Sequence, residues 1–198
     1  MFTGIVMAVG RLRAAELQGG DARLVVDTGA LLPLGGAAVG DSIAVNGVCL
    51  TVTALEPVAF TADVSRETLA LTTLGALRPG AALNLETAVR AGDPLGGHYV
   101  GGHVDGIARI VARTADARSV RIEVELPPGL ERYVARKGSI CIDGVSLTVN
   151  EVAGRRFGVN LVPHTLAVTN AAGWQVGTQV NCEVDIIARY LERLANPA

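Results

Sequence analysis

The chain is short of charge, of cysteine and of long apolar runs. Asp, Glu, Lys and Arg make up 18% of its 198 residues against 49% apolar residues. That balance excludes a disordered chain, which needs low hydrophobicity and high net charge. There is no basic surplus: 17 Lys and Arg stand against 19 Asp and Glu, a formal net charge of -2. Nucleic acid is therefore not an expected partner. The three cysteines, Cys49, Cys141 and Cys182, are odd in number and far apart. They suit reduced thiols in a cytoplasm rather than a disulfide framework. Without a CxxC pair, no structural zinc site is expected. No run approaches the roughly 20 apolar residues of a membrane span, and no basic stretch precedes the first apolar residues as a signal peptide requires. The expected location is cytoplasmic, with no membrane partner.

What the chain has in quantity is glycine, 24 residues. A helical bundle would not tolerate so many, because each costs about 1 kcal/mol inside a helix. The chain also repeats itself. Residues 42–86 slid by 97 positions onto 139–183 match without a gap, and 15 of the 45 aligned positions are identical. A weaker echo lies upstream, where Thr3-Gly4-Ile5-Val6 resembles Gly101-Gly102-His103-Val104 at an offset of 98. The period exceeds the 20–50 residues of a solenoid repeat and matches a small domain. The expected division is an N-terminal unit 1–92, a C-terminal unit 93–185 and a tail 186–198.

Short runs rich in Val, Ile, Thr and Leu, separated by turn formers, predict strands. In the first copy they are 24–26, 42–45, 49–53, 60–64 and 82–86; in the second, 120–126, 139–142, 146–149, 157–161 and 179–184. The fold class is all-β. Asn46-Gly47 and Asp143-Gly144 sit between apolar runs and supply the two positive-φ residues of a type I′ hairpin. Helical turns are expected to start at Arg66 and at Pro163, the latter suited to a first helical position. In the tail, Ile186, Ile187, Tyr190, Leu191 and Leu194 share one face of a helix that Asp185 can cap. That stripe packs either on its own chain or on copies of it.

The strongest local motif is the pair Asn46-Gly47-Val48-Cys49-Leu50-Thr51-Val52 and Asp143-Gly144-Val145-Ser146-Leu147-Thr148-Val149. Strand residues two apart share a face, so Cys49 and Thr51 point one way and Leu50 the other, as do Ser146 and Thr148 around Leu147. This describes an ordinary hairpin with a polar outer face. It also places two small hydrogen-bonding groups where each copy can read the edge of a flat heterocycle. A second motif is the glycine-dense segment 92–106. It permits close backbone approach to a ligand or a bend at a barrel corner. His98 and His103 in it, five apart, would fall on opposite faces of a strand, so no metal site is expected and His98 is read as structural. No phosphate loop and no G-x-S-x-G elbow is present.

Together "MFTGIV", the paired "NGVCLTV" and "DGVSLTV", "GGHYVGGHVDG", "RETLALTTLG", "PHTLAVTN" and "VNCEVD" closely resemble the riboflavin synthase alpha-chain family over essentially the whole chain. The resemblance implies two similar six-stranded Greek-key barrels followed by a C-terminal helix, assembled as a homotrimer through that helix. It implies dismutation of two molecules of 6,7-dimethyl-8-ribityllumazine by transfer of a four-carbon unit, giving riboflavin and 5-amino-6-ribitylamino-uracil. No cofactor and no metal takes part. Each barrel binds one lumazine, and the productive site lies between barrels of neighbouring subunits. Some relatives are enclosed by lumazine synthase, which makes that enzyme a candidate partner.

Carried over by motif, the first substrate face comprises Cys49, Leu50 and Thr51 with Asp63, Val64, Ser65, Arg66, Glu67 and Thr68, closed by Gly102, His103 and Val104. The second comprises Ser146, Leu147 and Thr148 with Asn160, Leu161, Val162, Pro163, His164 and Thr165, closed by Gly4, Ile5 and Val6. The resemblance also implicates Phe2, Ser42, Lys137 and Asp185. His103 is either the candidate proton shuttle, histidine being the residue type suited to moving protons near neutral pH, or a hydrogen-bonded structural histidine. Cys49 and Ser146 are equivalent yet chemically different, so they can separate donor from acceptor by assisting addition or stabilising an anion, with Thr148 beside them. Lys137 stands where the first copy has Gly40 and either brings positive charge to one side only or is an ordinary surface lysine. Asp185 either serves the site or simply caps the helix. Thr68 and Thr165 can offer hydroxyl and backbone N–H groups to ring carbonyls, cap their helical turns, or do both. Two other readings fit such a chain: a carrier that binds lumazine or flavin without turnover, and a purely structural trimerisation module.

Overall fold

Alternation of buried and exposed residues marks the longer strands, while the shorter ones are buried almost throughout, and together they close into two barrels. A computed structural model describes residues 1–29 and 36–196. The first barrel comprises β1 (Ala8–Gln18), β2 (Asp21–Asp27), β3 (Ser42–Val45), β4 (Val48–Glu56), β5 (Ala59–Val64) and β6 (Ala82–Thr87), with a short helix α1 (Arg66–Leu71) before β6. The second comprises β7 (Gly106–Asp116), β8 (Ser119–Glu125), β9 (Ser139–Ile142), β10 (Val145–Ala153), β11 (Arg156–Leu161) and β12 (Gln179–Val184), with α2 (Pro163–Val168) in the matching place. The tail forms α3 (Ile186–Ala195).

The first barrel closes in the order β1-β2-β5-β4-β3-β6, and the second repeats it as β7-β8-β11-β10-β9-β12. All the strand pairs are antiparallel, and the order is that of a Greek key. Closure leaves no open sheet edge. β1 and β7 escaped the sequence reading, which found five strands in each copy. β1 is rich in Ala, Arg and Leu, all good helix formers. Barrel closure overrides that propensity and buries Ala8, Gly10 and Leu12 in alternation. Bulges recur at matching places, Leu12/Ala14 with Ile110/Ala112 and Val52/Ala54 with Val149/Val152, and bend the long strands around the barrels.

Each barrel holds its own aliphatic core. Leu12, Leu24, Ile43, Phe60 and Leu83 anchor the first, and Ile110, Ile122, Ile140, Phe157 and Trp174 the second. Between them lies a polar junction built on the two predicted hairpins. Asn46 (φ 45°) with Gly47 (φ 76°) and Asp143 (φ 45°) with Gly144 (φ 79°) have the positive φ pairs of type I′ turns. The turns touch each other. A Cβ on Gly47 would lie 2.7 Å from Gly144 N, and one on Gly144 would lie 2.8 Å from Gly47 N. Asn84 N and Asn181 N donate to Asn46 Oδ1 and Asp143 Oδ1, each at 2.7 Å. Across the junction Asn84 Nδ2 donates to Asp143 O at 2.8 Å, and Asn181 Nδ2 to Asn46 O at 2.9 Å. The repeat thus folds as a pseudo-two-fold pair whose buried amides satisfy one another.

The symmetry breaks at Asp143. Burial pushes its carboxyl up to about 7, against the hydrogen bond from Asn181. The Trp174 indole N–H offers a further counterweight, but it falls short of hydrogen-bond geometry and has no partner among the described residues.

Candidate functional site

The chain exchanges two segments between its barrels. Residues 2–6 precede β1 yet lie against the second barrel: Ser146 N donates to Gly4 O at 2.8 Å, and Val6 packs on the second core. Residues 100–104 precede β7 yet lie against the first barrel: Cys49 N donates to Gly102 O at 2.9 Å, and Val104 packs on the first core. The two segments also pair with each other, Phe2 N to Val100 O at 2.8 Å and Val100 N to Phe2 O at 3.1 Å. Contact is close enough to require glycine. Gly4 (φ +75°) and Gly102 (φ +78°) would each bring a Cβ within 2.6 Å of the Cβ of Ser146 and of Cys49 respectively. The glycine-dense segment around His98 is therefore not a strand. Only Val100 in it pairs, and the two histidines are separated by burial instead: His98 is buried and His103 exposed.

Buried carboxylates hold both segments. Glu86 on β6 accepts from Thr3 N at 2.6 Å and Thr3 Oγ at 2.7 Å through Oε1, and from Gly4 N at 3.0 Å through Oε2. Glu183 on β12 accepts from Gly101 N at 2.6 Å and Gly102 N at 2.9 Å. Burial pushes both carboxyl groups up, opposed by these hydrogen bonds. Every partner is a donor, which suits the ionised form. Neither glutamate was singled out in the sequence, although each closes its repeat at an identical position within an apolar strand.

The predicted motif residues lie on adjacent strands of each barrel, β4 beside β5 and β10 beside β11. Leu50, Val64, Leu69 and Val104 pack in the first core and Leu147, Leu161, Leu166 and Val6 in the second, whereas Thr51 and Thr148 are exposed. Ser42 opposes Thr51 in register and lines a small cavity of about 180 Å³ with Asp41, Thr87 and Arg90. Larger cavities lie elsewhere. One of about 420 Å³ is lined by Arg121, Glu123, Glu151 and Arg156, and one of about 580 Å³ beside α1 includes Arg66 but neither Cys49 nor Thr51.

The copies differ in detail. Asp63 is gripped by Arg23 at 2.8 and 3.2 Å, which holds its carboxyl below the ordinary range. Its counterpart Asn160 is neutral, and Arg121 across from it turns to Asp116 and Glu151. Ser65 caps α1: Thr68 N donates to Ser65 Oγ at 3.2 Å and the two hydroxyls meet at 3.0 Å. The Thr68 amide and hydroxyl thus take part in capping their own helical turn. In α2 the cap residue is Val162, which makes no side-chain cap bond beside Pro163, His164 and Thr165. Lys137 takes φ 66° where Gly40 takes φ 96°, and each amide donates to the matching carbonyl, Val149 O and Val52 O. A lysine in the left-handed region is strained, a feature that clusters at functional sites. Its Nζ reaches Asn150 Oδ1 at 3.4 Å.

His98, read from the sequence as structural, lies on the second face. Its Nδ1 is 2.7 Å from Ser146 Oγ. Burial pushes the imidazole down, with Asp185 opposing. Asp185 caps α3, accepting from Ile187 N at 2.9 Å. Phe2 is fully buried, packed with Val100, Ala44 and Cys141 beside Cys49. α3 is fastened by its polar side, through Arg189 to Asp105 and Arg132 to Glu192. Ile187, Tyr190, Leu191 and Leu194 remain 55% to 76% exposed, so the stripe does not pack on its own chain. Among the described residues no group of three or more His, Cys, Asp or Glu could hold a metal ion, and no helix is long and apolar enough to cross a membrane.

Twin barrels with duplicated polar faces define a tandem ligand-binding protein. The chain matches the lumazine binding domain twice, over residues 3–88 and 101–185. It is 46% identical over 202 residues to the riboflavin synthase of Mycobacterium tuberculosis, covering all of both chains. It is 44% identical over 194 residues to that of Photobacterium phosphoreum, covering 98% of this chain and 88% of the relative. A crystal structure of LumP complexed with riboflavin superposes with a TM-score of 0.84 at 26% identity, covering 93% of this chain and 99% of that one. The chain belongs to the riboflavin synthase family of lumazine-binding proteins.

Proposed function

We infer that the chain is a riboflavin synthase, a transferase that dismutates two molecules of 6,7-dimethyl-8-ribityllumazine into riboflavin and 5-amino-6-ribitylamino-uracil. The observation that carries this is the doubled face: Cys49 and Thr51 in one barrel, Ser146 and Thr148 in the other, each under a segment exchanged from across the junction. Two identical reactants need two related cradles. Holding them in register can remove roughly 7–11 kcal/mol of barrier.

We assign the faces as carried over from the sequence, with barrels divided at 92/93 and the helix from 186. Leu50 and Leu147 anchor the face strands from within the cores, Thr51 and Thr148 address ring polar atoms, and the 63–68 and 160–165 turns flank them. His103, exposed, moves the methyl proton; Lys137 supplies charge to the second side; Ser42 neighbours the first. Phe2, being buried, acts by seating Gly102 and Cys49. His98 orients Ser146. The apolar stripe that α3 leaves exposed supports a homotrimer that joins a first face to a second face of a neighbour. A cytoplasmic setting and association with lumazine synthase fit the same reading.

Mixing the purified protein with the lumazine and following riboflavin absorbance tests it. Steady formation of riboflavin is expected. Bound lumazine fluorescence without turnover would make the chain a carrier, and no binding at all would leave only an assembly module.

A further inference from the structure

The two buried glutamates are wired crosswise. Glu86 belongs to the first barrel, but the segment it grips, Thr3-Gly4, rests on Ser146 of the second. Glu183 belongs to the second barrel, but Gly101-Gly102 rests on Cys49 of the first. We propose that Glu86 and Glu183 are positioning residues, each setting from one barrel the segment that closes the substrate face of the other.

The physical basis is the donor geometry. Consecutive backbone N–H groups converge on each carboxylate, a nest that favours an anion. Charge-assisted bonds of this kind are roughly twice as strong as neutral ones. They fix the peptide that carries Gly4 or Gly102, and that residue's carbonyl receives the amide of Ser146 or Cys49. The positive φ of both glycines leaves little freedom to reseat the segment by another route. An amide in place of the carboxylate keeps one acceptor and turns an NH₂ toward a backbone N–H, so Glu→Gln both weakens and repels.

The proposal rests on the reading of these faces as substrate sites. Its test uses no substrate, so the two stand or fall separately. Cys141 and Cys182 are buried, and Cys49 is the partly exposed thiol, lying under Gly102. In the full-length folded protein, iodoacetamide modification of Cys49 is followed by mass spectrometry. Glu183→Gln should speed it about tenfold, the loss of roughly one charge-assisted bond, while Glu86→Gln should leave it within about twofold. In a Cys49→Ser, Ser146→Cys background the order should reverse, with Glu86→Gln the accelerating change. Should a Gln variant fail to fold, Glu183→Asp and Glu86→Asp, which retract the carboxylate but keep its charge, should give the same crossed pattern. Each glutamate affecting the thiol on its own barrel, both thiols responding alike, or neither responding would overturn the assignment.

Discussion

His98 Nδ1 stands 2.7 Å from Ser146 Oγ. The pair gives the second face a side-chain hydrogen bond for which the equivalent Cys49 shows no match among the described residues. Burial depresses the imidazole, so it is neutral at neutral pH, with one ring nitrogen a donor and the other an acceptor. His98→Ala should lower turnover about tenfold and cost about 1 kcal/mol of stability, with a smaller change in ligand affinity. Steady-state kinetics beside a denaturant titration check this, and unchanged turnover would return His98 to a purely structural role.

Gly102 and Gly129 separate contact from backbone strain. Both have positive φ, but only Gly102 would press a Cβ onto Cys49, while Gly129 meets nothing within 4 Å. Gly129→Ala should cost about 1 kcal/mol for its φ and leave turnover intact. Gly102→Ala should cost more and cripple turnover, because the segment must lift. Equal effects in thermal melts and assays would mean the close approach is unimportant.

Lys137 tests whether strain accompanies function. Glycine, already present at the matching position 40, adopts the same backbone region without penalty. Lys137→Gly should therefore hold or raise stability by up to about 1 kcal/mol while reducing turnover. A variant as active as the parent would leave the strained lysine without a catalytic reason.

Asp143 makes stability depend on pH. Its carboxyl is raised to about 7 in the fold. Its stabilising share is present in full below the ordinary carboxylate value and is lost as pH rises through about 7. Stability should fall by up to about 1.4 kcal/mol per pH unit across that window. The matching residue of the first repeat is Asn46, so Asp143→Asn should fold and flatten the slope. Denaturation midpoints at pH 5 and pH 8 decide it, and parallel pH profiles for the two proteins would refute the origin.

The tail helix carries the assembly. Deleting residues 186–198 should give monomers by sedimentation that bind lumazine yet turn over slowly. Full activity of such monomers at high dilution would show that one chain completes a site alone.

Much of this architecture was legible because the repeat is long and its hairpin turns are chemically explicit. Asn46-Gly47, Asp143-Gly144, Pro163 and the Asp185 cap all stand where their backbone preferences put them. β1 and β7 were missed because Ala and Arg interrupt their apolar runs, and only closure of the barrel decides for strand. The site was legible as motifs but not as wiring. Nothing in the order of residues says that Gly4 serves the second barrel, or that Glu86 and Glu183 face backbone rather than water. The His98–Ser146 pairing was hidden for the same reason, since the two residues lie 48 positions apart.

The exchange of segments has a practical corollary for dissecting the protein. A scissor cut in the 91–97 stretch would yield a front fragment bearing the cover of the rear one, and a rear fragment bearing the cover of the front one. Each fragment alone would then expose its thiol or hydroxyl bare. Mixing the two, rather than lengthening either, is the way to restore both covers.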